Sequence, residues 1–140
     1  MTIAIDTNAL VALWTDENAL NLAAQKALDE ARSRGGLVVS GAVYAELLAE
    51  PECKEEFVDR FFAEVGIAVE WGFSGRIWRS AGEAFRMYAE RRRKQKGAEP
   101  RRILADFLIG AHALVSGYKL LTLDERTRRT AFPRLAVIRV

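Results

Sequence analysis

The hydrophobic pattern of this chain switches between two periods. Short apolar runs at 2–5, 37–39, 67–70, 119–122 and 136–140 are bounded by polar residues or glycine and predict buried strands. Between them the apolar residues recur at helical spacing. Over 18–34 the stripe is Leu20, Ala23, Ala24, Ala27, Leu28 and Ala31, stopped by Gly35-Gly36. Over 74–93 it is Ile77, Trp78, Ala81, Ala84, Phe85 and Tyr88. Residues 8–14 predict a short helix, and Ser40 is placed to cap the helix that carries Glu46. Pro51 is expected to start another helix, through Phe57, Phe61 and Phe62. The segment 103–116 is apolar nearly all round, which predicts a central buried helix ended by Gly117. The polar stretch 94–100, with its Gly and Pro, predicts a loop.

Strands alternating with helices pair most naturally in parallel. The expected fold is α/β, a three-layer α/β/α sandwich on a short, mostly parallel central sheet. With 140 residues, half of them hydrophobic, the chain has the size of one domain, 1–140, with its own core. In such folds ligands bind beyond the carboxyl ends of the strands.

Four acids interrupt or close apolar runs: Asp6 after Ile3-Ala4-Ile5, Glu46 within 43–49, Asp106 within 103–109, and Asp124 after 120–123. Burying an unpaired carboxylate costs several kcal/mol. Singly, each has an ordinary explanation. Asp6 can be an N-cap, Glu46 a solvent-facing helical residue, Asp106 a partner for the first-turn amides of its helix, and Asp124 a turn residue. Those explanations do not predict that all four fall at one end of a parallel sheet. Gathered there they repel one another, and the usual remedy is a divalent cation with oxygen ligands.

The net charge of +2 conceals an asymmetry. Residues 1–75 carry five Lys/Arg against thirteen Asp/Glu, residues 76–102 ten against three, and residues 103–140 six against three. The basic block, Arg91-Arg92-Arg93-Lys94-Gln95-Lys96 and then Arg101-Arg102, suits a phosphate backbone or, more simply, a solvated helix end. The single cysteine, Cys53, permits no internal disulfide and no cysteine-based zinc site. No apolar run is long enough to span a bilayer, so a cytoplasmic protein without membrane contact is expected.

Other chemistries lack their residues. One histidine, His112, excludes a ribonuclease that uses a histidine pair, and it reads as a packing residue of the central helix. There is no G-x-S-x-G elbow, Walker loop or G-x-G-x-x-G. Asp6-Thr7-Asn8 lacks the second Asp of an aspartate-nucleophile phosphatase. Trp14, Trp71 and Trp78 read as core or interface residues rather than a base-stacking platform.

Taken together, the segments resemble the PIN-domain ribonucleases, particularly the small single-domain toxins of VapBC-type toxin–antitoxin pairs. Ile3-Ala4-Ile5-Asp6-Thr7-Asn8 is like the opening strand and Asp-Thr-Asn of that family. Ser40, Val43 and Glu46-Leu47 look like its second motif, and 106–113 is similar to its third. Leu120-Leu121-Thr122-Leu123-Asp124 looks like its Thr-x-Asp, and Phe132-Pro133 before a last strand fits its ending. The resemblance covers essentially the whole chain.

It implies a Mg²⁺- or Mn²⁺-dependent endoribonuclease. Asp6, Asp106 and Asp124 would ligate the cation, and Glu46 would do so directly or through water. Thr7, Asn8, Ser40 and Thr122 would orient the carboxylates. Attack by an activated water would leave a 5′-phosphate and a 3′-hydroxyl. Arg101 and Arg102, with Arg93 and Lys94, would grip the RNA backbone. Where many relatives carry a further Asp or Asn, this chain has Glu125-Arg126-Thr127, which argues against a second metal. The family also implies a homodimer and a small antitoxin that covers the acidic groove, with aromatic residues from Phe57 to Phe62 as a docking face. The alternatives are a housekeeping RNA-processing nuclease of the same fold, an inactive RNA- or protein-binding module, and an acid-cluster phosphatase of another α/β fold.

Overall fold

The predicted strands form one sheet, because each centres on a short apolar run and the inner ones can be buried on both faces. A computed structural model describes residues 1–95 and 102–140. Strand β1 is Thr2–Ile5, β2 Gly36–Ser40, β3 Ile67–Glu70, β4 Lys119–Thr122 and β5 Val137–Arg139. All pairings are parallel, in the order β3-β2-β1-β4-β5. The helices are α1 Thr7–Val11, α2 Asn18–Arg34, α3 Gly41–Leu47, α4 Glu55–Val65, α5 Gly75–Arg93, α6 Leu104–Ser116 and α7 Glu125–Ala131.

The chain steps from β1 outward to β2 and β3, then returns to β4 on the other side of β1 and continues to β5. Right-handed crossovers therefore put α1–α4 on one face and α5–α7 on the other, which makes the expected three-layer sandwich. The reversal of strand order falls between β1 and β4. Ile3, Ile5, Val39, Leu120 and Leu121 of the inner strands are essentially inaccessible, and Leu10, Leu47 and Val58 close over them.

Several boundaries differ from the sequence expectation. The 8–14 helix is α1 followed by a 3-10 turn, Ala12–Trp14. Pro51 does not begin a helix: it lies in a turn with Glu52 at φ 65, and α4 starts only at Glu55. Lys54 takes the cap position there, and Glu55 and Glu56 in the first turn suit the positive end of the helix dipole. Of the expected 94–100 loop, Lys94 and Gln95 form a turn and the rest lies outside the described residues. Helix α7 has no apolar stripe and was not expected. Its buried face is made by Arg128.

Phe62 packs in the core, whereas Phe57 is 38% exposed and touches Trp14 edge-on. Trp71 and Trp78 are exposed. Among the described residues, no helix is long and apolar enough to cross a membrane.

Candidate active site

Strand-order reversal leaves a crevice beyond the carboxyl ends of β1 and β4, and the acids fall into it. Asp6 follows β1 directly and is anchored by its backbone N–H, which donates to the Leu121 carbonyl at 2.9 Å. Asp124 follows β4. Glu46 comes from α3 and Asp106 from the first turn of α6, where its Oδ2 accepts from the Ile103 N–H at 3.2 Å. The four line one cavity of about 280 Å³ together with Thr7, Asn8, Arg102 and Arg128.

Hydroxyls hold the carboxylates. Thr122 Oγ1 donates to Asp6 Oδ2 at 2.8 Å and accepts from the Asp124 N–H at 3.0 Å. Thr7 Oγ1 donates to Glu46 Oε1 at 2.6 Å. Asn8 Oδ1 accepts from the Leu123 N–H at 3.0 Å, tying the start of α1 to the end of β4. Ser40 stands at the cap position of α3 but makes no capping bond. Its buried Oγ has no partner among the described residues and it does not line the cavity.

Sequence reasoning missed a fifth acid of the cavity lining, Glu50, and above all Arg128. It is 5% exposed and Asp6 is 1% exposed, so each depends on the other for charge compensation. Arg128 Nε donates to Asp6 Oδ2 at 2.8 Å and Nη2 to Asp6 Oδ1 at 3.2 Å, a two-point contact. Nη1 donates to the Asp106 carbonyl at 3.1 Å, and Nη2 stands 3.5 Å from Asp106 Oδ1. Burial alone would lower the Arg128 pKa, but Asp6 first, then Asp106 and Asp124, push it up. Only its spacing from Asp124 could have pointed here. Arg128 is four residues after Asp124, one helical turn along, in a cluster of acids that needed cations.

Arg102, expected to grip RNA, lines both cavities and pairs with one of the acids. Its Nη2 donates to Asp124 Oδ2 at 3.2 Å and to Thr127 Oγ1 at 3.0 Å. Burial works to raise the Asp124 pKa, but the hydrogen bond from Thr127 and the charges of Arg102 and Arg128 outweigh it and hold it low. Glu46 moves the other way. Burial raises its pKa, the charges of Asp106 and Asp6 add to that, and the Thr7 hydrogen bond and Arg128 offset only part.

The donor set, carboxylate and hydroxyl oxygen throughout, suits a hard divalent cation. Among the described residues, however, no three acidic, histidine or cysteine side chains are grouped as they would be around a bound ion. The guanidinium of Arg128 stands between Asp6 and Asp106 and supplies the positive charge they require.

A second cavity of about 520 Å³ adjoins the first and shares Arg102, Asp106 and Arg128 with it. Arg91, Arg92 and Arg126 add to its lining, while Arg93 and Lys94 do not, and Arg101 lies outside the described residues. His112 is remote from the acids' cavity lining. Its Nε2 lies 2.7 Å from Glu70 Oε1, and Tyr118 donates to the other Glu70 oxygen at 2.8 Å.

The fold matches solved structures along their whole length. A chain of VapBC2 from Rickettsia felis, solved bound to a DNA fragment from its promoter, superimposes with a TM-score of 0.69 at 20% identity, covering 99% of this chain and 98% of that one. VapBC-1 from nontypeable Haemophilus influenzae gives 0.68 at 19% identity, with 99% and 98% covered. A toxin–antitoxin complex from Klebsiella pneumoniae gives 0.64 at 17% identity, with 97% and 95% covered. No curated sequence matches significantly. The family model described as PIN domain matches residues 3–133, which take in four of the five strands and every acid of the cavity, and the chain belongs to that family.

Proposed function

We propose that this protein is a divalent-metal-dependent endoribonuclease and the toxin of a toxin–antitoxin pair. One observation carries the reading: Asp6, Glu46, Asp106 and Asp124, from four separate segments, line a single cavity at the strand-order reversal. PIN domains generally use divalent metal ions, and Mg²⁺ or Mn²⁺ suits these oxygen donors. Asp6, Asp106 and Asp124 would hold the ion, with Glu46 beside it. When bound, such an ion supplies water activation and charge neutralisation at the phosphodiester.

The chain's own residues do the rest. Thr122 and Thr7 orient Asp6 and Glu46. Glu46, with its raised pKa, is the carboxylate suited to take a proton from water at the oxygen Thr7 does not occupy. The neighbouring cavity, lined by Arg91, Arg92, Arg102 and Arg126, receives the phosphates that flank the scissile bond. Resemblance to VapBC and other toxin–antitoxin complexes supports a small antitoxin as partner. A homodimer is the working form that the family resemblance implies.

A second reading, a PIN-fold module that binds without cleaving, gains from Arg128. Four mutually repelling carboxylates with no cation would argue for catalysis, but two of them already have an arginine each.

The test is cleavage of a mixed RNA by the purified chain with Mg²⁺ or Mn²⁺, with EDTA, and with Asp6→Asn alongside. Cleavage should require the metal, vanish in the variant and leave 5′-phosphate ends. Equal cleavage in every lane would overturn the mechanism. No cleavage, with no binding of Mn²⁺ by calorimetry, would favour the binding module.

A further inference from the structure

A carboxylate offers about four acceptor positions, two on each oxygen. On Asp6, Oδ2 takes the Thr122 hydroxyl and Arg128 Nε, and Oδ1 takes Arg128 Nη2. Three of the four are filled, two of them by one guanidinium. The same Nη2 lies 3.5 Å from Asp106 Oδ1, so the guanidinium occupies the ground between the two acids that a shared ion would bridge. A divalent ion approaches a carboxylate oxygen to about 2.1 Å. It would then meet a positive group already seated on both oxygens of its ligand, with little water present to screen the repulsion.

We propose that Arg128 is the resident counter-cation of this site, and that a divalent ion and Arg128 bind Asp6 in competition. Metal entry displaces the guanidinium from Asp6. This rests on the metal-dependent reading above. The displaced side chain has somewhere to go, because Arg128 already lines the second cavity with Arg91, Arg92 and Arg126. That space is crowded with positive charge, so an RNA phosphate there is the anion that stabilises Arg128 once it has left Asp6. Metal and RNA therefore assist one another: each favours the position of Arg128 that admits the other. The consequence for the chain is an Asp6 that stays paired, and a site that admits metal less readily, until RNA lowers the metal concentration required.

Two measurements test this. Calorimetric titration of Mn²⁺ into the metal-free protein should show binding about 10- to 100-fold tighter in Arg128→Met than in the unaltered chain, the size of a typical coupling between sites. Equal or weaker binding by the variant overturns the proposal. The unaltered chain carries the second test and keeps the proposal open to refutation if the variant does not fold. In the metal-free protein the Arg128 Nε–H proton should exchange slowly with solvent, because it is buried on Asp6. Mg²⁺ should shift that resonance and remove its protection, and a single-stranded DNA of the same length as an RNA substrate should lower the Mg²⁺ concentration required. Shifts at Asp6 and Asp106 with Arg128 Nε–H unchanged would overturn the competition while leaving metal binding intact. No shift at any of the three would overturn both.

Discussion

At the scale of single residues, the site is a balance of charges rather than a row of ligands. Arg128 and Asp6 are each nearly inaccessible and joined at two points. Removing one partner of such a pair leaves the other as an uncompensated buried charge. In the absence of divalent ions, Arg128→Ala should destabilise by about 3–5 kcal/mol. Adding Asp6→Asn should recover much of that loss in urea unfolding, and a loss unchanged by the second substitution would show that packing, not charge, was responsible. Glu46 allows a test by pH. Its folded pKa is raised, so below the ordinary carboxylate value of 4.5 it is neutral in both folded and unfolded states and contributes no difference. As pH rises past that value the folded state resists ionisation, and stability falls until the raised pKa is passed. Glu46→Gln should therefore melt with the unaltered chain at about pH 4 and above it at about pH 7. A gap that is constant with pH would mean that Glu46 is not strained by its neighbours. Asp124 has the opposite sign: its depressed pKa stabilises the fold above the ordinary carboxylate range and loses that effect as pH falls through the lower value. Asp6, Glu46, Asp106 and Asp124 were legible in the sequence because each breaks an apolar run. Arg128 was not, because an arginine among Arg126, Arg129 and Thr130 looks like any solvated surface cation.

At the scale of elements, the strands and the long helices were legible because their buried faces are apolar, and α7 was not because its buried face is charged. The stretch Glu125-Arg126-Thr127-Arg128-Arg129-Thr130-Ala131 carries no hydrophobic period. What it does carry is Glu125 in the first turn and Arg128 and Arg129 in the last, the arrangement that complements a helix dipole. The segment ends at Phe132-Pro133, where Phe132 inserts against α6. A Cβ placed on Gly110 would stand 2.4 Å from the Phe132 ring, which is itself buried and has no room to swing away. Gly110 is therefore needed for the close approach of α6 to the end of α7. Gly110→Ala should cost about 1–3 kcal/mol in chemical unfolding, the usual penalty for overpacking. Trimming the ring in Gly110→Ala/Phe132→Leu should return part of it. If the double variant is no better than the single one, the strain lies in the helix and not against the ring. The misplaced start of α4 has a similar origin, since Pro51 serves a left-handed turn at Glu52 as well as it would a helix start.

At the scale of the whole molecule, an acidic cavity and an arginine-lined cavity lie side by side and share three residues. The charge asymmetry read along the sequence becomes a polarity in space, with α5, α7 and Arg102, two residues before α6, supplying the positive side. If that side carries RNA phosphates, Arg91→Ala/Arg126→Ala should weaken binding of a single-stranded RNA and flatten its dependence on salt. The slope should fall by about 1.4, because each arginine that no longer neutralises a phosphate removes roughly 0.7. An unchanged slope would place the RNA elsewhere. The parallel sheet has another consequence, which concerns the order in which the protein is made. Asp6 is bound by Thr122 and Arg128, which lie 116 and 122 positions later. The central strand β1 leaves the ribosome more than a hundred residues before β4 and the guanidinium that neutralises its acid. A nascent chain therefore carries an unpaired carboxylate destined for burial and cannot close its sheet around it. Whatever this cavity does to RNA, it cannot begin until the chain through Arg128 has emerged and folded back onto Asp6.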